Sequence, residues 1–338
     1  MSEGKEILVT GASGFIASHI VIQLLNQGYR VRGTVRNLSR ADKLKEVIGK
    51  HAPTTGLSFV QADLMDADSW QAAVKGTDGI MHVASPIATE LPKDPNEMIV
   101  PAKEGTRNVL QAAIDQGVPR VVITSSVASI VYGQGPGLFT EDNWTNTDHR
   151  DATPYIQSKT IAEKLAWEMA QEAGDKLQIT TVHPSLVLGP VLEQDYGNSA
   201  EVVKKLMDGS FPGTPNLGLP IVDVRDVASM HIMAFENDAS IGERLICSGP
   251  FLWMHEIAVI LRKHYPDFQK KIPTRKLPTW LVKLFANFQK EVKSVLQDVD
   301  VRREVTWEKG KRILGWDPRG PEEAIRATAD SLIEFKIL

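Results

Sequence analysis

Between the apolar run Ile7-Leu-Val-Thr10 and an amphipathic stretch from Phe15 to Gln27 lies the turn Gly11-Ala-Ser-Gly14, with Ala17 one turn further on. A buried strand that passes so quickly into a helix needs backbone freedom at the turn and a small side chain where helix meets strand. Gly11 suits the tight turn, Gly14 presents bare backbone, and Ala17 permits close packing. The first amides of such a helix face outward beyond the strand, where they can accept a diphosphate. The residues expected around it are Gly11, Ser13, Gly14, Phe15 and Ile16. An ordinary strand-to-helix turn built of small residues is the alternative, and the rest of the chain decides between them.

The alternation continues. Arg30–Val35, Leu57–Gln61, Gly79–Val83, Val121–Thr124 and Gln178–Val182 read as strands, from their short β-branched and aliphatic runs. Ala41–Lys50, Asp66–Lys75, Asn96–Gln116 and Pro154–Ala173 carry helical periodicity between them. Strand, helix, strand in repetition predicts an α/β fold, a doubly wound parallel sheet covered on both faces. After His183 the prolines and glycines multiply, with one helix expected over Ala200–Asp208. Ile221–Asp223 and Arg225–Glu236 read as a return to the sheet and its covering helix. From Phe251 the chain reads as helices with short connections, among them Leu281–Phe288 and Glu322–Phe335. The expected division is a dinucleotide-binding domain of residues 1–182 with 221–247, and a smaller, mostly helical substrate lobe of 183–220 with 248–338.

Composition narrows the partners. With 338 residues, 24% of them charged, and a net charge of -4, the chain offers no basic face for nucleic acid or a membrane surface. Lys270-Lys271 with Arg275-Lys276 is short enough to be a solvated turn. The single cysteine, Cys247, cannot form an internal disulfide and reads as a buried filler. No basic-then-apolar leader precedes Ile7, and no apolar run reaches spanning length. Asn37-Leu-Ser39 and Asn143-Trp-Thr145 match the glycosylation pattern but mean little without such a leader. A soluble, cytoplasmic protein is expected.

The second strand ends in Val35-Arg36-Asn37, with Arg40 and Lys43 close behind. A carboxylate here would grip a ribose diol, whereas the planar fork of Arg36 suits a 2′-phosphate, with Lys43 near, and so favours NADP(H) over NAD(H). Asp63, after the third strand, either accepts from an adenine amino group or caps the next turn. Tyr155 and Lys159 lie at i and i+4 on one helix face. A neighbouring ammonium, together with an oxidised nicotinamide, is expected to lower the phenol pKa from about 10 and make it a usable proton shuttle. Ser126 closes Ile123-Thr-Ser-Ser126 at a strand end, where ligands bind in open parallel sheets, and its hydroxyl can donate to a carbonyl oxygen that gains charge.

Jointly these residues resemble the extended short-chain dehydrogenase/reductase superfamily, and within it the dihydroflavonol 4-reductase-like branch of aldehyde and ketone reductases. The carrying motifs are Thr10 to Ala17, Thr34-Val-Arg36, Asp63-Leu64, Val83-Ala-Ser-Pro86, Gly105-Thr-Arg-Asn-Val-Leu110, Thr124-Ser-Ser126, Tyr155 to Lys159, His183-Pro184 with Val187-Leu-Gly-Pro190, and Asp223 to Ala228. The resemblance runs from Ile7 to about Phe335. It implies a Rossmann fold and an NADP(H)-dependent carbonyl reductase. Tyr155 would be the general acid, Lys159 would hold the nicotinamide ribose, and Ser126 would bind the carbonyl oxygen. Leu64, Val83, Ala84, Ser85 and Thr124 would line the cofactor, with Pro184 and Val187 beside the nicotinamide. Asn108 either supports a water relay or packs its helix.

A nucleotide-sugar epimerase or dehydratase on the same fold, a hydroxysteroid-type dehydrogenase, and a non-catalytic NADP sensor are the competing readings. Against the sugar enzymes stand Arg36 and Val127-Ala128, where sugar dehydratases tend to carry Asp-Glu. The sensor would lack the tyrosine–lysine pair. His82, His183 and His231 have no metal-ligand spacing and read as satisfied core histidines. Trp144, Leu192, Tyr196 and Phe211 either wall an apolar substrate pocket or pack ordinarily. The loops 87–97, 127–153 and 188–220 are expected to shape that pocket. The partner is a small carbonyl or alcohol substrate, and the protein a monomer or homodimer.

Overall fold

Adjacent β-branched runs pair into sheets in a computed structural model that describes residues 4–86, 92, 94–194, 197–288 and 290–338. The strands in chain order are β1 (Glu6–Val9), β2 (Arg30–Val35), β3 (Leu57–Gln61), β4 (Gly79–His82), β5 (Arg120–Thr124), β6 (Gly137–Phe139), β7 (Gln178–Pro184), β8 (Leu186–Leu188), β9 (Gly218–Asp223), β10 (Arg244–Cys247), β11 (Phe251–Trp253) and β12 (Arg303–Val305). Seven of them form the main sheet in the order β10-β7-β5-β4-β1-β2-β3, every pair parallel. The helices that cover it are α1 (Phe15–Asn26), α2 (Ala41–Gly49), α3 (Ala67–Val74), α4 (Asn96–Asp115), α5 (Pro154–Ala173) and, after α6 (Glu201–Met207), which packs in a separate core, α7 (Val224–Glu236).

The strand period of two sorts the core onto both faces. Ile7, Val9, Met81, Val122 and Val182 point towards α1 and α7, while Leu8, Ile80, Val121, Ile123 and Ile179 point towards α3, α4 and α5. Close approach on the first face requires Gly79, where an added Cβ would lie 2.1 Å from the Phe235 ring of α7.

Two expectations need correction. Ile221–Asp223 does not rejoin the main sheet. It is the end of β9, which pairs in parallel with β8 and antiparallel with β11 in a separate three-stranded sheet, and the seventh main strand is β10. A run as short as Ile221-Val-Asp223 does not say which neighbour it meets. The region after Phe251 is also not purely helical, since it supplies β11 and β12, and β12 pairs in parallel with β6. Val224–Glu236 does cover the main sheet, as its periodicity predicts. No helix among the described residues is long and apolar enough to cross a membrane.

Candidate active site

Because the main strands are parallel, their carboxyl ends open on one edge. Gly11 follows β1, Arg36 follows β2, Asp63 follows β3, Val83–Ser85 follow β4, Ser125 and Ser126 follow β5, and Pro184 ends β7. Succession runs one way from β1 through β2 and β3, while β4 lies on its other side. The crevice of an open sheet forms at such a reversal.

At that crevice Gly11 has φ +66, and a Cβ there would come within 3.1 Å of the Ala84 Cβ. Its N–H donates to Thr34 Oγ1 at 2.9 Å. The Thr10 hydroxyl ties the two loops together, accepting from Val83 N–H and Ala84 N–H, both at 2.9 Å. With both lone pairs engaged, its proton goes to His82 Nδ1 at 3.0 Å. Burial, with the charge of Lys159 adding to it, lowers the His82 pKa to about 3 and keeps that ring neutral. The α1 helix opens at Gly14 with no side-chain cap and no acidic residue in its first turn, so its leading amides stay available to an anion. Ser13 and Phe15 line an open pocket against Leu44, Glu193 and Gly197.

Arg36 is exposed beyond β2 and, among the described residues, has no ion-pair partner, which leaves its fork open to a phosphate. Lys43 is differently placed: its ammonium lies 2.8 Å from Glu193 Oε2, with the Arg40 guanidinium 3.8 Å from the same carboxylate. Asp63 Oδ1 accepts from Met65 N–H at 2.8 Å in the turn after β3. The Leu64 carbonyl accepts from Asn108 Nδ2 at 2.8 Å, which ties α4 to this loop. The Thr124 hydroxyl is engaged by His231 Nε2 at 2.7 Å. Pro184 and Val187 are buried beside β10 and in β8. His183 meets Glu163 at 2.8 Å and Leu245 O at 3.3 Å, and the Cys247 thiol is buried, so the three histidines and the cysteine are core residues as expected.

The chemistry-bearing cluster is built by the β5 end and the start of α5. Ser126 is extended (φ -165), and its Oγ accepts from Ala128 N–H at 3.1 Å. Pro154 starts α5 with its fixed φ, which sets Tyr155 in the first turn and Lys159 one turn on. Tyr155 keeps 36% of its surface open to the cleft, whereas Lys159 is buried. The lowering expected for Tyr155 is not what the protein's own groups produce. The dense surroundings of its hydroxyl disfavour the phenolate and raise the pKa, with a hydrogen bond to Ser126 opposing, and Lys159 is not among the causes. Burial lowers Lys159 to about 8, with Glu163 opposing.

Glu163, a further turn along α5, was not singled out in the sequence. Its buried carboxylate accepts from Ser125 Oγ at 2.6 Å, Ser129 Oγ at 2.5 Å and Arg244 Nε at 2.7 Å, besides His183. Burial works against the carboxylate, but His183 and Arg244 outweigh it and hold its pKa well below the usual carboxylate range. The one signal was its spacing, i+4 from Lys159 on the same face. A shallow pocket beside this cluster is lined by Val127, Val131, Tyr132, Leu219, Asp298 and Arg303 among others. Trp144, Leu192 and Phe211 do not line it. Trp144 stacks on Arg244 at 3.7 Å, Leu192 lines the cavity by Ser13, and Phe211 packs in a separate core around Leu261. Tyr196, and residues 87–91 and 93 of the first loop, lie outside the described residues.

Residues 7–246 match the NAD dependent epimerase/dehydratase family. The chain belongs to that family. Within the NAD dependent epimerase/dehydratase family it is 37% identical over 279 residues to cinnamoyl-CoA reductase 1 of Petunia hybrida, covering 80% of each chain. It is 35% identical over 283 residues to dihydroflavonol 4-reductase of Zea mays, covering 81% of this chain and 78% of that one. The yeast methylglyoxal/isovaleraldehyde reductase Gre2, solved in complex with NADPH, superposes with a TM-score of 0.82 at 28% identity, over 98% of this chain and 99% of Gre2. These relatives bear out the extended short-chain dehydrogenase/reductase resemblance and its reductase branch.

Proposed function

We propose that this chain is an NADPH-dependent reductase that converts an aldehyde or ketone to the alcohol, with Tyr155 as the proton donor. The observation that carries the reading is the convergence, on one sheet edge, of a protonated Tyr155, Ser126 and Lys159 beside an uncapped helix start. The reductases that resemble the chain over nearly its whole length, one of them solved with NADPH, support the same chemistry. Gly11, Ser13, Gly14, Phe15 and Ile16 would hold the diphosphate, Arg36 the 2′-phosphate, and Val83–Ser85, Pro184 and Val187 the inner half of the cofactor. Bound NADPH would supply the hydride.

The chain's own groups do the rest. The Ser126 hydroxyl, held in place by the Ala128 N–H it accepts from, donates its proton to the substrate's carbonyl oxygen. The raised pKa keeps Tyr155 in the form a donor needs, and the proton passes from its Oη to that oxygen as charge builds there. Lys159, an ammonium below about pH 8, offers three donors to the ribose hydroxyls and steadies the phenolate left behind.

NADPH oxidation against a panel of aldehydes, ketones and sugar nucleotides tests this. Carbonyl-dependent oxidation is expected, and Tyr155→Phe should lower kcat by about 10²- to 10⁴-fold with little change in NADPH affinity. Equal rates for wild type and Tyr155→Phe would sink the assignment.

A further inference from the structure

The net charge of -4 hides an uneven distribution. Residues 270–293 hold seven lysines and arginines against a single acid, Glu291. Lys270, Lys271, Arg275, Lys276, Lys283 and Lys293 are exposed, and none of them has an ion-pair partner among the described residues. Asp300, on which the Lys283 charge bears, instead accepts from Asn216 Nδ2 at 2.8 Å and from Thr279 Oγ1 at 2.7 Å. Lys270-Lys271 with Arg275-Lys276 is therefore more than a short solvated turn, because Lys283 and Lys293 extend the same unpaired charge.

Within this stretch the helix Thr279–Phe285 has two apolar sides. Val282, and Ala286 just past its end, are buried against the fold. Trp280, Leu284 and Phe288, spaced four apart, fall on another side and stay 67%, 47% and 81% exposed. Apart from Tyr155 in the cleft, Trp280 and Phe288 are the exposed aromatics among the described residues. Surface hydrophobic residues scattered singly need no explanation, but three on one face with a rim of cations mark a surface that meets something.

The rim decides what it meets. A second copy of the chain, related by a two-fold axis, would set this face against itself, cation against cation. A nucleic-acid strand would stack its bases on the rings of Trp280 and Phe288 but gains no such platform from Leu284 between them. An anionic bilayer surface takes all of these groups together: the indole at headgroup level, Leu284 and Phe288 at the acyl boundary, and the lysines among acidic headgroups.

We propose that the face formed by Trp280, Leu284 and Phe288 docks the protein on an anionic lipid surface, lying in the interface rather than crossing it. This goes beyond the reductase reading and does not depend on it. The docked face adjoins the pocket beside Ser126: Val299 bridges to Leu217, while Asp298, Val301 and Leu219 line that pocket.

Flotation of the full chain with phosphatidylcholine vesicles, with and without phosphatidylserine, tests this. Binding is expected to need phosphatidylserine and to weaken as salt screens the lysines. Lys276→Glu with Lys283→Glu should lower the partition by at least about twentyfold, since each basic residue near such a surface is worth about fivefold. Trp280→Ala with Phe288→Ala should lower it by at least about tenfold, from the apolar area no longer buried. All four side chains are exposed, so melting temperatures should match that of wild type. Insertion is read separately: lipid brominated on its acyl chains should quench part of the emission of the seven tryptophans, and Trp280→Phe, which keeps an apolar ring, should bind as before without that quenching. Equal partition onto neutral and anionic vesicles overturns the proposal, as does an unchanged partition in either double variant or quenching that survives Trp280→Phe. Sedimentation velocity without lipid covers the second copy: a dimer that Trp280→Ala with Phe288→Ala dissociates overturns the lipid assignment. So does an oligouridylate that displaces the vesicles and is itself lost to the same variant.

Discussion

Tyr155 and Lys159 show themselves in the sequence because their relation is local: four residues apart, one helix face, one chemical pairing. Glu163 continues the same face and yet was illegible in purpose, because the groups that give it meaning come from far away. Arg244 is 81 residues distant, His183 is 20, and Ser125 is 38. Once assembled, Glu163 is a positioning residue, clamping the serines on either side of Ser126 and opposing the loss of charge at Lys159. Glu163→Gln removes the counter-charge of the buried Arg244 and offers an amide N–H to groups that donate already. A loss of about 3–5 kcal/mol in stability is expected. The pH profile separates positioning from packing: without Glu163 the Lys159 pKa should fall below about 8, shifting the alkaline limb of kcat/KM to lower pH. A limb that stays in place while the melting temperature drops would leave Glu163 a purely structural residue.

Among elements, the long alternating segments were readable and the three-residue ones were not. Residues 79–82 and 178–184 have aliphatic runs that no helix pattern matches, whereas Gly137–Phe139 and Arg303–Val305 are too short to stand out, and each is a strand because the other is there. Glycine inside a strand was readable only as a mark of close approach. At Gly79 the approach is that of Phe235, whose ring bridges α7 and the sheet and meets Tyr29 edge-on at 6.4 Å. The ring is held by the core on all sides, so Gly79→Ala forces α7 or the ring outward. That should cost about 1–3 kcal/mol, the usual toll of overpacking. Phe235→Leu in the same chain should recover part of it, and urea unfolding of the single and double variants checks this. Simple additivity of the two substitutions would mean the ring and the glycine do not meet.

On the scale of the molecule, three neutral histidines join separate parts of the fold, and together they set its acid limit. His19 of α1 reaches Pro190 O at 3.0 Å, His82 joins β4 to Thr10, and His231 joins α7 to β5. Burial is the first cause in each case, and it lowers their pKa values from 6.5 to about 4, 3 and 4 respectively. A folded pKa below the unfolded one means that the unfolded chain holds the extra proton between the two values. Stability from these residues is therefore complete above pH 6.5 and drains away as pH falls towards 4 and 3. Asp298 works against them, because its folded pKa of about 6 lies above the ordinary 3.8 and the native state gains a proton there. Near pH 5 the four groups leave the unfolded chain ahead by about two protons, a slope of about 3 kcal/mol per pH unit. Chemical denaturation at a series of pH values should show a plateau above about 7 and a fall of that steepness between 6 and 4. Replacing His231 with Gln removes one titrating ring while keeping a partner for Thr124, so the slope should drop by about 1.4 kcal/mol per pH unit. A variant as steep as wild type would mean that His231 is already protonated in the folded protein, contrary to its burial.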